Sequence, residues 1–67
     1  MTKEELKAYL GAHGGVKSND VPYKHPEHNQ IKAAWKEAIQ LHNKATGTIL
    51  KPGCSSCIRK TWEWLNK

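Results

Sequence analysis

Cys54 and Cys57, in the stretch PGCSSC at 52–57, and the histidines at 13, 25, 28 and 42 are the side chains of this sequence most capable of chemistry. Two thiols spaced i, i+3 fit three roles: soft metal ligands, a redox dithiol, or small apolar residues opening a buried helix face. Zinc is the metal that cysteine and histidine together suggest, bound tetrahedrally, and a structural site takes four ligands. His42 falls in the apolar arc of a helical segment that ends shortly before Cys54, so His42, Cys54 and Cys57 form a candidate ligand set. His28 cannot complete it, because it lies on the same helix about 21 Å from His42 at 1.5 Å per residue. His25 is farther still, and His13, closing the first helix, is expected to approach the start of the second. The resemblance of HPEH plus CSSC to a two-histidine, two-cysteine site is therefore superficial, and the fourth ligand is missing.

A CxxC pair at a helix start also suggests thiol chemistry, since the helix dipole and unpaired amides favour a thiolate. The thioredoxin framework needs a βαβ unit that this sequence has neither the length nor the strand patterning to build. No serine–histidine–aspartate arrangement, paired carboxylates or phosphate-binding glycine loop is present. The expectation is a protein that is not an enzyme, with no catalytic residues and no cofactor beyond that zinc.

The remaining signal is charge with aromatics. Eleven Lys and Arg against six Asp and Glu give a net charge of +5, which attracts nucleic acid or an acidic protein surface. Arg59 is the one arginine among those cations, and arginine is the usual agent of bidentate base recognition, so sequence-specific duplex reading is disfavoured. Lysines beside tryptophans, in AAWKE and RKTWEW, suit single-stranded nucleic acid, whose bases stack on rings while lysines track phosphates. They suit a protein contact as well, tryptophan being a preferred anchor. The candidate binding residues are Lys32, Lys36, Lys44, Arg59, Lys60 and Trp64.

Three helical segments must position these groups. Thr2 and Glu5 form a capping box that starts a helix over about 3–12, with Leu6, Tyr9 and Leu10 on its apolar stripe and GAHGG ending it. Residues 14–26 hold glycines, prolines and turn formers, which predicts an extended connector from which Val16, Val21 and Tyr23 pack down. The second helix, about 26–45, opens at Pro26 and gathers Ile31, Ala34, Trp35, Ala38, Ile39, Leu41 and Ala45 on one face. Gly47 stops it. The third, about 55–66, carries Cys54, Cys57, Ile58, Thr61, Trp62 and Leu65 on one stripe, which turns both thiols to the core.

The fold class expected is all-α, one compact three-helix domain over 1–67 with a Gly/Pro-rich connector between the first two helices. At 67 residues and 37% apolar content there is material for one small core and no more. The opening MTKEELKAYL carries charges where a secretory leader would be apolar, and no apolar run approaches a membrane span, so a cytoplasmic protein away from membranes is expected.

Residues 42–65, with Thr46, Gly47, Cys54, Cys57, Ile58, Arg59 and Leu65 as the matching positions, resemble small uncharacterised proteins encoded by tailed bacteriophages, particularly those of Bacteroidetes-type hosts. The resemblance implies a phage setting, in the host cytoplasm or a virion, and no mechanism. The function expected is that of a small binding protein of phage type, engaging nucleic acid through lysines and an exposed tryptophan. The alternative is a protein-binding module, a virion component or a modulator of a host enzyme.

Overall fold

The computed structural model describes residues 1–67 and is helical throughout, without strands. Helix α1 covers Lys3–Ala12, α2 covers His28–Thr46 and α3 covers Ser55–Leu65, and a 3-10 helix, Gly15–Asp20, lies between the first two. The all-α expectation holds. The count of three helices does not, because the first half of the connector coils instead of running extended.

Local signals set most of the boundaries. The Thr2 hydroxyl accepts from the Glu5 N–H and the Glu5 carboxylate accepts from the Thr2 N–H, closing the capping box of α1. Gly47 takes the left-handed conformation at φ 71° and its N–H returns to the Asn43 carbonyl, which ends α2 one residue later than expected. The start of α2 differs. Pro26 stays outside it, in turns that bond His25 N–H to Pro22 and His28 N–H to His25, and Glu27 is the residue that flanks the first turn.

The core consists of Leu6 and Leu10 from α1, Ile31, Ala34, Trp35, Ala38 and Ile39 from α2, and Ile58 and Leu65 from α3. Tyr9, Val16, Val21, Leu41, Leu50, Trp62 and Trp64 pack against it in part. A Cα radius of gyration of 10.9 Å agrees with the roughly 11 Å expected of a close-packed chain of this length. Helices α1 and α2 run antiparallel, since Met1 meets Glu37 while Tyr9 meets Glu27.

Helix α3 does not continue that antiparallel pattern. Trp62 packs edge-on against Trp35 and Trp64 edge-on against His42, so two residues only two positions apart near the end of α3 reach positions about 10 Å apart along α2. An antiparallel hairpin would bring the first turn of α3 to His42 and not its last, so α3 is not a simple antiparallel neighbour of α2. The linker makes this possible by folding back, with the Asn43 side chain accepting from the Leu50 N–H at 3.0 Å and donating to the Leu50 carbonyl at 3.1 Å.

The 3-10 helix is fixed by one buried relay. The Trp35 indole N–H donates to the Ser18 hydroxyl at 2.8 Å, and that hydroxyl donates to the Gly15 carbonyl at 2.6 Å. Ser18 and Trp35 are each 1% exposed, so neither has water as an alternative partner. Gly15 must be glycine for two reasons: its φ is 63°, and a Cβ there would stand 3.1 Å from Cζ2 of Trp62. Ser18→Ala, which strands the indole N–H, is expected to cost about 1–3 kcal/mol in urea unfolding. Combining it with Trp35→Phe should cost less than the sum of the two single changes, and strict additivity would show the relay to be energetically idle.

Candidate functional site

The expected zinc set does not assemble. No group of three or more His, Cys, Asp or Glu side chains comes together as a metal site anywhere in the chain. His42 is 8% exposed and is engaged elsewhere, its ring edge-on to Trp64 at 5.5 Å and its Nδ1 3.3 Å from Oδ1 of Asn43. The path of α3 is the cause: it brings the last turn of α3, not its first, to His42. Cys54 and Cys57 are free thiols and half-exposed, so the core-facing role expected of them is also not met. Ile58, Thr61 and Leu65 are the residues of α3 that are buried.

The thiols nevertheless stand in a defined arrangement. Cys54 is the N-cap of α3, with φ −102° and ψ 122°, and Cys57 is one turn on. Its thiol makes no capping hydrogen bond, yet its pKa lies below the usual thiol value. The neighbouring Cys57 thiol is the main cause, followed by the Cys57 N–H, with the Ser56 N–H and the Lys60 charge adding to it against the opposing effect of burial. Ser55, Ser56, Arg59, Lys60 and Glu63 line a surface depression on the same helix.

The candidate binding residues separate into two groups. Lys32, Lys36 and Lys44 are exposed along α2, and Arg59 and Lys60 are exposed on α3, where they share the depression just described. The Lys32 ammonium donates to the Asn19 carbonyl at 2.6 Å, tying α2 to the end of the 3-10 helix. Trp64, expected to be open, is half-buried: its ring carries the Lys3 ammonium at 4.4 Å and the His42 ring at its side.

The exposed aromatic is Tyr23 instead. It is 89% exposed and stacks on His28, with centroids 4.7 Å apart and planes 24° from parallel. The expectation that Tyr23 packs down with Val16 and Val21 holds for the valines only. From His28 the sequence runs Lys32, Lys36, Gln40, Lys44 at intervals of four, one ridge of α2 with Tyr23 at its head. That periodicity is visible in the sequence; the position of Tyr23 is not.

A second cluster was not singled out by sequence beyond the approach of His13 to α2. The Tyr9 hydroxyl donates to Glu27 Oε2 at 2.9 Å, and His13 Nε2 lies 3.0 Å from the same oxygen. The Glu27 N–H in turn donates to His25 Nδ1 at 3.0 Å. These contacts fasten the end of α1 to the start of α2, as expected of His13, and draw the Glu27 carboxylate away from a capping role.

No protein family, curated protein or solved structure matches this chain.

The Tyr9 phenol sits above its ordinary pKa of 10.0, through burial first and then through the bond it gives Glu27. Unfolding therefore frees a group that ionises more readily. The stabilisation it brings is present below the ordinary tyrosine pKa and is lost as pH rises through the folded value. The difference in urea stability between the wild type and Tyr9→Phe should shrink as pH is raised from about 9 towards 11. A difference independent of pH would mean that the phenol ionises equally in both states.

Proposed function

We propose that this chain is a small non-enzymatic binding protein that holds single-stranded nucleic acid along α2. The observation that carries this reading is the Tyr23 plate, open to solvent and backed by His28, at the head of the ridge of Lys32, Lys36 and Lys44. An unstacked base has a free π-face to lay on such a ring, whereas a base inside a duplex does not. Lys32 and Lys36, four residues apart, stand about 6 Å from one another and Lys44 about 12 Å farther along the helix, spacings that suit successive and next-but-one phosphates of an extended strand. The scarcity of arginine supports binding that is tolerant of sequence.

In this reading Arg59 and Lys60 add to the general attraction without belonging to the ridge, and Trp64 contributes to the core's edge and not to the base platform. The phage setting suggested by residues 42–65 accords with a small protein of this kind, in which strand protection or packaging needs affinity without base readout.

Fluorescence anisotropy with labelled oligonucleotides tests the proposal. Single strands should bind in preference to duplexes of the same length, and log K should fall with log salt at a slope of about −2 for three phosphates neutralised on a single strand. Tyr23→Ala should weaken binding by about 1–3 kcal/mol while leaving the salt slope alone. Lys36→Gln should reduce the slope by about 0.7. No shift in anisotropy at low salt would reject the reading. Salt-insensitive association with a protein partner would instead support the module that docks on another protein.

A further inference from the structure

We infer that Cys54 and Cys57 form a reversible dithiol–disulfide couple that exchanges with anionic low-molecular-weight disulfides, Cys54 attacking and Cys57 resolving. The inference is independent of the nucleic-acid reading and rests on a different end of the molecule.

Four observations converge on it. The N-cap and the third residue of a helix stand on one face, and i, i+3 positions bring Cβ atoms about 5–6 Å apart, so a shift of about 1–2 Å in the backbone at the N-cap, with side-chain rotation, closes the bond. Both residues are half-exposed and neither joins the core, so a sulfur can be approached from solvent and a new bond does not disturb buried packing. The Cys57 thiol first, and then the Cys57 and Ser56 amides at the start of α3, favour negative charge on Cys54, which marks it as the attacking sulfur. Finally, the cations of this segment outnumber its carboxylates: the Lys60 charge acts on Cys54, Arg59 and Lys60 with Ser55 and Ser56 line a depression elsewhere on the same helix, and Lys51 stands three residues before Cys54 in the linker. Glu63 is the single carboxylate there, so the surroundings favour a disulfide that carries carboxylates over one that carries amines.

The missing thioredoxin framework does not bar this chemistry, because exchange needs a thiolate, access and a second thiol within reach. The Cys54 thiolate attacks one sulfur of the incoming disulfide, forming a mixed disulfide and releasing one small thiolate. The Cys57 thiol loses its proton to solvent and attacks the Cys54 sulfur, forming the Cys54–Cys57 bond and releasing the second small thiolate. The protein dithiol is oxidised by two electrons, the small disulfide is reduced by two, and the two protons from the cysteines end on the two small thiols. The reverse sequence regenerates the dithiol.

The test follows the full chain in buffers of reduced and oxidised glutathione, with acid quench, alkylation and intact-mass measurement. The expected species are the dithiol and the internal disulfide, with little mixed adduct. Cys57→Ser should stop at one glutathione on Cys54, and Cys54→Ser should react at least tenfold more slowly. Rates are compared with those of an unstructured peptide of sequence KPGCSSCIRK and repeated with cystamine, a cationic disulfide. Relative to the peptide, the protein should favour oxidised glutathione over cystamine, and Arg59→Gln with Lys60→Gln should erase that preference. Circular dichroism of each variant shows whether the helices persist.

Reaction no faster than the peptide, or adducts on both cysteines without ring closure, would overturn the couple. Equal relative rates with the two disulfides would overturn the assignment of an anionic partner.

Discussion

The indole N–H of Trp35 has one acceptor, the hydroxyl of Ser18, and that hydroxyl has one further obligation, to the Gly15 carbonyl. Everything that closes the small core depends on this relay. Trp35 is the largest fully buried side chain, and at the centre of α2 its polar atom would otherwise face an apolar interior. Satisfying it requires a backbone segment brought close to α2 with a small hydroxyl at one position, which the 3-10 helix supplies. Once that helix is seated, its first residue presents a bare Cα to the Trp62 ring, and Trp62 can lie against both Trp35 and Gly15. The placement of α3 against α2 is tied to where that ring must go.

How far this was legible in the sequence depends on the range of the interaction concerned. The Thr2–Glu5 box, the apolar arc of α2 and the Gly47 stop are set by residues within a few positions of one another, and all three were readable. The 3-10 helix was not. Its residues GVKSND have the composition of a turn, and they coil because Ser18 and Gly15 answer a tryptophan seventeen positions later. The orientation of α3 relative to α2 was hidden for the same reason. Periodicity gives the face that a helix buries and says nothing of the angle at which it does so.

That angle accounts for the misplaced site residues. An antiparallel hairpin of α2 and α3 would set His42 beside the thiols; the path α3 takes sets it beside Trp64, and the zinc ligands do not come together. Trp64, held between His42 and the Lys3 ammonium, loses the exposure that a binding ring needs, and Tyr23 gains it. The lysine ridge of α2 was legible because it depends on helical spacing alone. The aromatic that heads it was not, since a tyrosine between two prolines carries no sign of whether it folds inward.

The distribution of packing also bears on why the proposed recognition surface and the proposed thiol couple occupy different elements. The ridge residues lie on the back of α2, whose front supplies five of the nine core side chains, so the spacing of Lys32, Lys36 and Lys44 is held by the best-packed helix in the chain. A stacking platform and a row of charges gain affinity from such rigidity, because little side-chain and backbone freedom is left to lose on binding. The first turn of α3 is the opposite case. Its burial begins at Ile58, beyond both cysteines, and the residues before it form a linker anchored to α2 through Asn43 and Leu50. A sulfur that must be reached, attacked and released needs a backbone that can yield by about 1–2 Å without unpacking a core. The two proposed chemistries therefore fall where the packing permits each of them, one on the back of the helix that supplies most of the core and the other at a half-exposed helix start.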